Sequence, residues 1–107
     1  MKVILCNIGA DDAGELARML VQQRFAACVN IVPGVRSVYR WDGKVCEDTE
    51  STLLIKAPAE GLTELKEALL KAHPYEVPEF VVVDVDVKHS HQPYVKWVRD
   101  SCTESVD

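Results

Sequence analysis

Trp41-Asp42-Gly43-Lys44 lies between two long runs that read as strands, and this tetrapeptide constrains the fold more than any other segment. Asp-Gly at such a junction tolerates the positive φ that a tight hairpin turn requires. Residues 26–40 and 45–57 are therefore predicted to run antiparallel as one long hairpin. Pro33-Gly34 interrupts the first run. Proline has no N–H to give to a ladder, so a bend or bulge is expected there.

The flanks of the hairpin repeat one pattern. Residues 2–8 read as a strand, broken by Gly9-Ala10. A helix follows, with Asp11 or Asp12 as its cap and Ala13, Leu16, Ala17 and Leu20 on one face, fading near Arg24. After Pro58 a second helix is expected over 59–72, with Leu62, Leu65, Leu69 and Ala72 aligned, and His73-Pro74-Tyr75 stops it. Residues 79–87 read as a fourth strand, and Tyr94, Trp97 and Val98 mark a short last helix. The order βαββαβ plus a terminal helix is the ferredoxin-like split-βαβ arrangement of the α+β class. Right-handed crossovers make the sheet antiparallel with strand order 4-1-3-2. Residues 1–102 form a single domain in this reading, and 103–107 are a frayed polar tail.

Composition excludes several functions. The chain carries 12 basic and 17 acidic residues, a net charge of −5, which opposes non-specific nucleic-acid binding and anionic membrane surfaces. A hydrophobic fraction of 48% excludes disorder as the main state. No apolar run approaches the roughly 20 residues of a membrane span, and the start does not read as a signal peptide. A cytoplasmic chain with reduced cysteines is expected. Cys6, Cys28, Cys46 and Cys102 form no C-x-x-C pair, so neither a thioredoxin motif nor a zinc ribbon is supported.

Strand centres point to an oligomer. Two helices cover one face of a four-stranded sheet, and half-exposed strands should then alternate apolar and polar residues. Val3-Ile4-Leu5, Leu53-Leu54-Ile55 and Phe80-Val81-Val82-Val83 are instead apolar on both faces. A symmetric homo-oligomer would cover the second face and the hairpin edge; the alternative is that the last helix crosses that face alone.

Ala26-Ala27-Cys28-Val29-Asn30-Ile31-Val32-Pro33-Gly34, Ser37-Val38-Tyr39-Arg40-Trp41-Asp42-Gly43-Lys44, Lys56, His73-Pro74-Tyr75-Glu76-Val77-Pro78-Glu79 and Tyr94-Val95-Lys96-Trp97 together resemble the CutA divalent-cation tolerance family. The resemblance spans roughly residues 2–100. It implies a ferredoxin-like homotrimer similar in architecture to PII signalling proteins. It also implies a cytoplasmic, non-enzymatic protein linked to metal tolerance and to copper. The family's copper ligands, a cysteine at the end of the first strand and a histidine of the His-Pro-Tyr motif, fall on Cys6 and His73. Asn7-Ile8-Gly9-Ala10, beside Cys6, departs from the Thr-x-Pro-like segment frequent in the family.

The fold expected from the element order places Cys6 and His73 at one end of the sheet. Thiolate and imidazole together suit copper or zinc. Two ligands are too few for a closed site, so a neighbouring subunit, water or another side chain would complete it. The competing reading packs Cys6 as a small apolar residue and uses His73 at the end of the second helix. Cys28 is expected in packing, Cys46 exposed near the hairpin tip as a secondary thiol, and His89 with His91 in a solvated loop that could clip a metal. Tyr39, Trp41 and Tyr75 are candidates to line a pocket or pack between subunits, and Glu47, Asp48 and Glu50 read as a solvated strand edge. No nucleophile elbow or glycine-rich phosphate loop is present, so an enzyme is not expected. A PII-like sensor that binds small molecules in clefts between subunits is the alternative to metal binding.

Overall fold

The computed structural model describes residues 1–103. Its elements run β1 (Lys2–Ile8), α1 (Ala10–Gln22), β2 (Cys28–Trp41), β3 (Lys44–Ala57), α2 (Leu62–Ala72), β4 (Val81–Asp84), a single 3-10 turn at Val87–His89 and α3 (Gln92–Cys102). The antiparallel sheet has the order β2-β3-β1-β4, the expected ferredoxin-like topology.

Period-2 alternation in the strands and helical spacing in α1 and α2 meet in one core. Ile4, Cys6 and Ile8 point to the helix side of β1, and Leu53, Ile55 and Ala57 do so from β3. Ala13, Leu16 and Leu20 of α1 and Leu65 and Leu69 of α2 close over them. The other sheet face carries Val3, Leu5, Leu54, Val81 and Val83 in register, and β4 is exposed along its length. Near Cys28 this face meets α3, because the Tyr94 hydroxyl lies against the Cys28 sulfur. Val98 of α3 is fully buried yet lies outside the main core, so α3 makes its own small packing layer.

The hairpin divides at an irregularity between Val32 and Val35, where Gly34 takes φ 69°. Below it, β3 pairs with β1 on one side and β2 on the other. Above it, residues 35–50 form a two-stranded arm closed by Asp42 (φ 52°) and Gly43 (φ 73°), a turn of the kind Asp-Gly favours. The arm makes the molecule elongated, 49 × 31 × 22 Å.

Several boundaries differ from those read in the sequence. β4 has four residues rather than the 79–87 run, because the chain leaves the ladder after Asp84 and Asp86 starts the 3-10 turn, its side chain accepting from the His89 N–H. The alternating valines of 85–87 suited a strand, but β1 offers partners only to Asp84. α1 begins at Ala10 after Gly9, with neither Asp11 nor Asp12 as its cap; both sit in the first turn, where carboxylates favour the helix N-terminus. α2 starts at Leu62, three residues late, because Gly61 takes the left-handed conformation (φ 87°). Of the expected tail, residues 104–107 lie outside the described residues.

Candidate functional site

β1 ends beside the C-terminus of α2, and this junction brings Cys6 and His73 to one point. The His73 Nε2–H donates to the Asn7 carbonyl oxygen at 2.9 Å, and the Cys6 thiol lies 3.8 Å from the same oxygen. The Tyr75 backbone N–H donates to His73 Nδ1 at 3.1 Å, so that nitrogen is an acceptor and the ring proton sits on Nε2. Both ring nitrogens are thus engaged. His73 is 7% exposed and Cys6 is fully buried. Burial first, then the nearby charges of Glu79 and Glu50, push the Cys6 thiol up to about 12. As it stands, the junction is a protonated thiol beside a hydrogen-bonded ring. No group of three or more His, Cys, Asp or Glu among the described residues is arranged to hold a metal ion.

The same junction anchors the wall of a cleft. The Tyr75 ring meets the His73 ring edge-on, centroids 4.6 Å apart, and its hydroxyl donates to Glu50 Oε2 at 2.7 Å. The 73–79 segment is thereby tied both to the end of β1 and to the base of the arm. Between this segment and the arm lies a cleft of about 860 Å³, with Tyr39, Trp41 and Tyr75 supplying rings and Asp48, Glu50, Glu76 and Glu79 supplying carboxyl groups. None of its lining residues is Lys, Arg or His. The Tyr39 hydroxyl donates to Asp48, and this bond, followed by partial desolvation, pushes its ionisation up to about 12. Desolvation and the bond to Glu50 raise Tyr75 as well. Both phenols are therefore neutral donors.

The other sequence candidates lie apart. Cys28 faces Tyr94 at the opposite end of β2, and Cys46 is half-buried on the arm, its sulfur 4.0 Å from the Lys44 carbonyl oxygen. His89 Nδ1 pairs with Asp86 at 2.9 Å, whereas His91 precedes α3 as its cap residue, so the two imidazoles belong to different local structures. Glu50 is a correction. The run Glu47-Asp48-Glu50 reads as a solvated edge, yet Glu50 is only 8% exposed and holds Tyr75. Hairpin register carries the missed signal. Pairing Trp41 with Lys44 sets Tyr39 opposite Cys46, and Asp48 and Glu50 then follow on the aromatic face at a period of two. Glu79 and Asn7 became visible only through the tertiary fold.

A ferredoxin-like antiparallel sheet with a projecting hairpin arm places the chain in the PII-like class of folds. The CutA1 divalent ion tolerance protein model matches residues 2–101, and the chain belongs to that family. It is 41% identical over 101 residues to the divalent-cation tolerance protein CutA of Thermus thermophilus, covering 94% of this chain and 96% of that one. It is 43% identical over 94 residues to human protein CutA, covering 88% of this chain but 51% of the longer human one. Among solved structures, the PII-like protein CutA from a Nostoc species in apo form superposes with a TM-score of 0.93 at 40% identity, over 96% of this chain and 98% of that one.

Proposed function

We propose that this chain is a cytoplasmic, non-enzymatic homotrimer that serves divalent-cation tolerance by binding a small ligand in the cleft at the base of its arm, in the manner of a PII-like sensor. The observation that carries the reading is the cleft itself. It is large enough for a small molecule, joins aromatic and carboxyl groups, and has a wall tied to the core through His73 and Tyr75. The exposed apolar face along β4 supports the trimer, since a second copy would remove it from water. A panel of small metabolites screened by saturation-transfer NMR tests the cleft. Compounds that bind wild type and are lost in Tyr75→Ala support it. A panel with no compound sensitive to that change, in a trimer intact by light scattering, overturns it.

A second reading takes copper, or another divalent metal such as zinc, at Cys6 and His73. It is favoured by their approach to one carbonyl oxygen. Ligation there must release the thiol proton to solvent and displace a hydrogen bond of the imidazole, and further ligands must come from water or a neighbouring subunit. Calorimetric titration of copper and zinc into wild type and Cys6→Ala/His73→Ala, in reducing buffer, decides it. Loss of binding in an intact variant trimer supports the pair as ligands, and unchanged binding excludes it.

A further inference from the structure

We propose that the cleft is a receptor for an organic cation, an amine or quaternary ammonium whose positive charge sits among carbon substituents. This rests on the reading of the cleft as the ligand site and names the ligand class. Carboxyl groups of Asp48, Glu50 and Glu79 line the cleft with no basic side chain to offset them, so an anion is excluded by charge. A bare metal ion needs several oxygens converging at short range, and no such group exists among the described residues. A neutral apolar molecule would strip water from the carboxylates without replacing it. An alkylammonium answers both needs, because its charge faces carboxylates while its methylene or methyl groups lie on ring faces.

Glu50 supplies an acceptor that a cation in the cleft would meet. It is 8% exposed, yet only Oε2 has a side-chain hydrogen-bond partner, the Tyr75 hydroxyl. No buried side-chain oxygen among the described residues lacks a partner, so Oε1 keeps contact with solvent, and Glu50 is among the residues that line the cleft. The phenols cannot satisfy Oε1, since the Tyr39 hydroxyl donates to Asp48 and that of Tyr75 to Oε2. Trp41, 48% exposed at the far wall, supplies the ring face that cations prefer.

The test follows the two indole N–H signals, Trp41 and Trp97, in proton–nitrogen NMR spectra of the intact oligomer. Tetramethylammonium chloride is titrated at constant ionic strength, with sodium chloride as balance. A saturable shift of Trp41 but not Trp97, weakened at least tenfold by Glu50→Gln, supports the proposal. Should Glu50→Gln fail to fold, Asp48→Asn on the exposed arm takes its place, with binding weakened several-fold. Uncharged tert-butanol of similar bulk shifting Trp41 with equal affinity would refute the cation class while leaving the cleft a ligand site. The same saturable shift with magnesium chloride would refute the need for carbon substituents. Absence of any saturable Trp41 shift would overturn this proposal, while the metabolite panel still judges the cleft independently.

Discussion

His73→Ala separates a structural clamp from a metal ligand, because the clamp needs no metal to be worth something. The substitution removes the bond to the Asn7 carbonyl and the bond from the Tyr75 N–H. Each is worth about 1 kcal/mol net. The ring is 7% exposed, so deleting it also forfeits apolar contact with Tyr75 and the end of β1, of order 1 kcal/mol after water enters. The sum is a loss of about 2 to 4 kcal/mol, weighted to the lower half because the freed backbone groups lie near the surface. Urea denaturation followed by circular dichroism, with a chelator present and protomer concentration fixed, reads this directly. With an m-value near 2 kcal/mol/M, the midpoint falls by about 1 to 2 M. His73→Gln, whose amide still donates, should recover part of it. A metal-free midpoint within about 0.2 M of wild type would refute the clamp and leave ligation as the reason for a histidine there.

Four further outcomes follow. The Cys6 thiol is raised from 9.0 to about 12, so the folded state holds a proton that the unfolded chain releases. Its contribution to stability is full below pH 9 and declines from there towards pH 12, by up to about 1.4 kcal/mol per pH unit. Denaturation at stepped alkaline pH should show this decline in wild type and a shallower one in Cys6→Ala. If copper binds at Cys6, its affinity should rise about tenfold per pH unit across the same approach, since one proton leaves for each ion bound; a flat profile by calorimetry would exclude the thiol. Gly43→Ala forces a side chain to φ 73° at the arm's turn and should cost about 1 kcal/mol in a thermal melt. Leu69→Ala, at a fully buried site where α2 meets the sheet, should cost about 2 to 5 kcal/mol by urea denaturation.

The architecture was readable because its signals are local and repeat. Asp42-Gly43 fixes the hairpin and its register, the spacing of Leu16 and Leu20 or Leu65 and Leu69 fixes the helix faces, and handed crossovers leave one strand order. Failures came where local pattern and tertiary partner disagree. Val85 and Val87 alternate as a strand would, yet β1 is too short to pair with them. Glu50 is charged and flanked by charge, yet a tyrosine twenty-five residues away makes its burial tolerable. The nearness of Cys6 and His73 followed from topology. The carbonyl they share and the backbone N–H that occupies Nδ1 did not, because main-chain groups carry no letter in a sequence.

The arm above the Val32/Val35 irregularity has a consequence for handling the protein. β1 stops pairing at Ser51, so residues 35–50 have each other and no third strand. A lone two-stranded ribbon is marginal in water. In a dilute, dissociated subunit its amides should exchange with solvent first, and a protease should nick it near Asp42 before touching the sheet. In the proposed trimer a neighbour along the free outer edge of β2, away from the cleft, would shield the same stretch. Cleavage rate would then vary with dilution, and a limited digest would report subunit exchange while the domain below the irregularity stays whole.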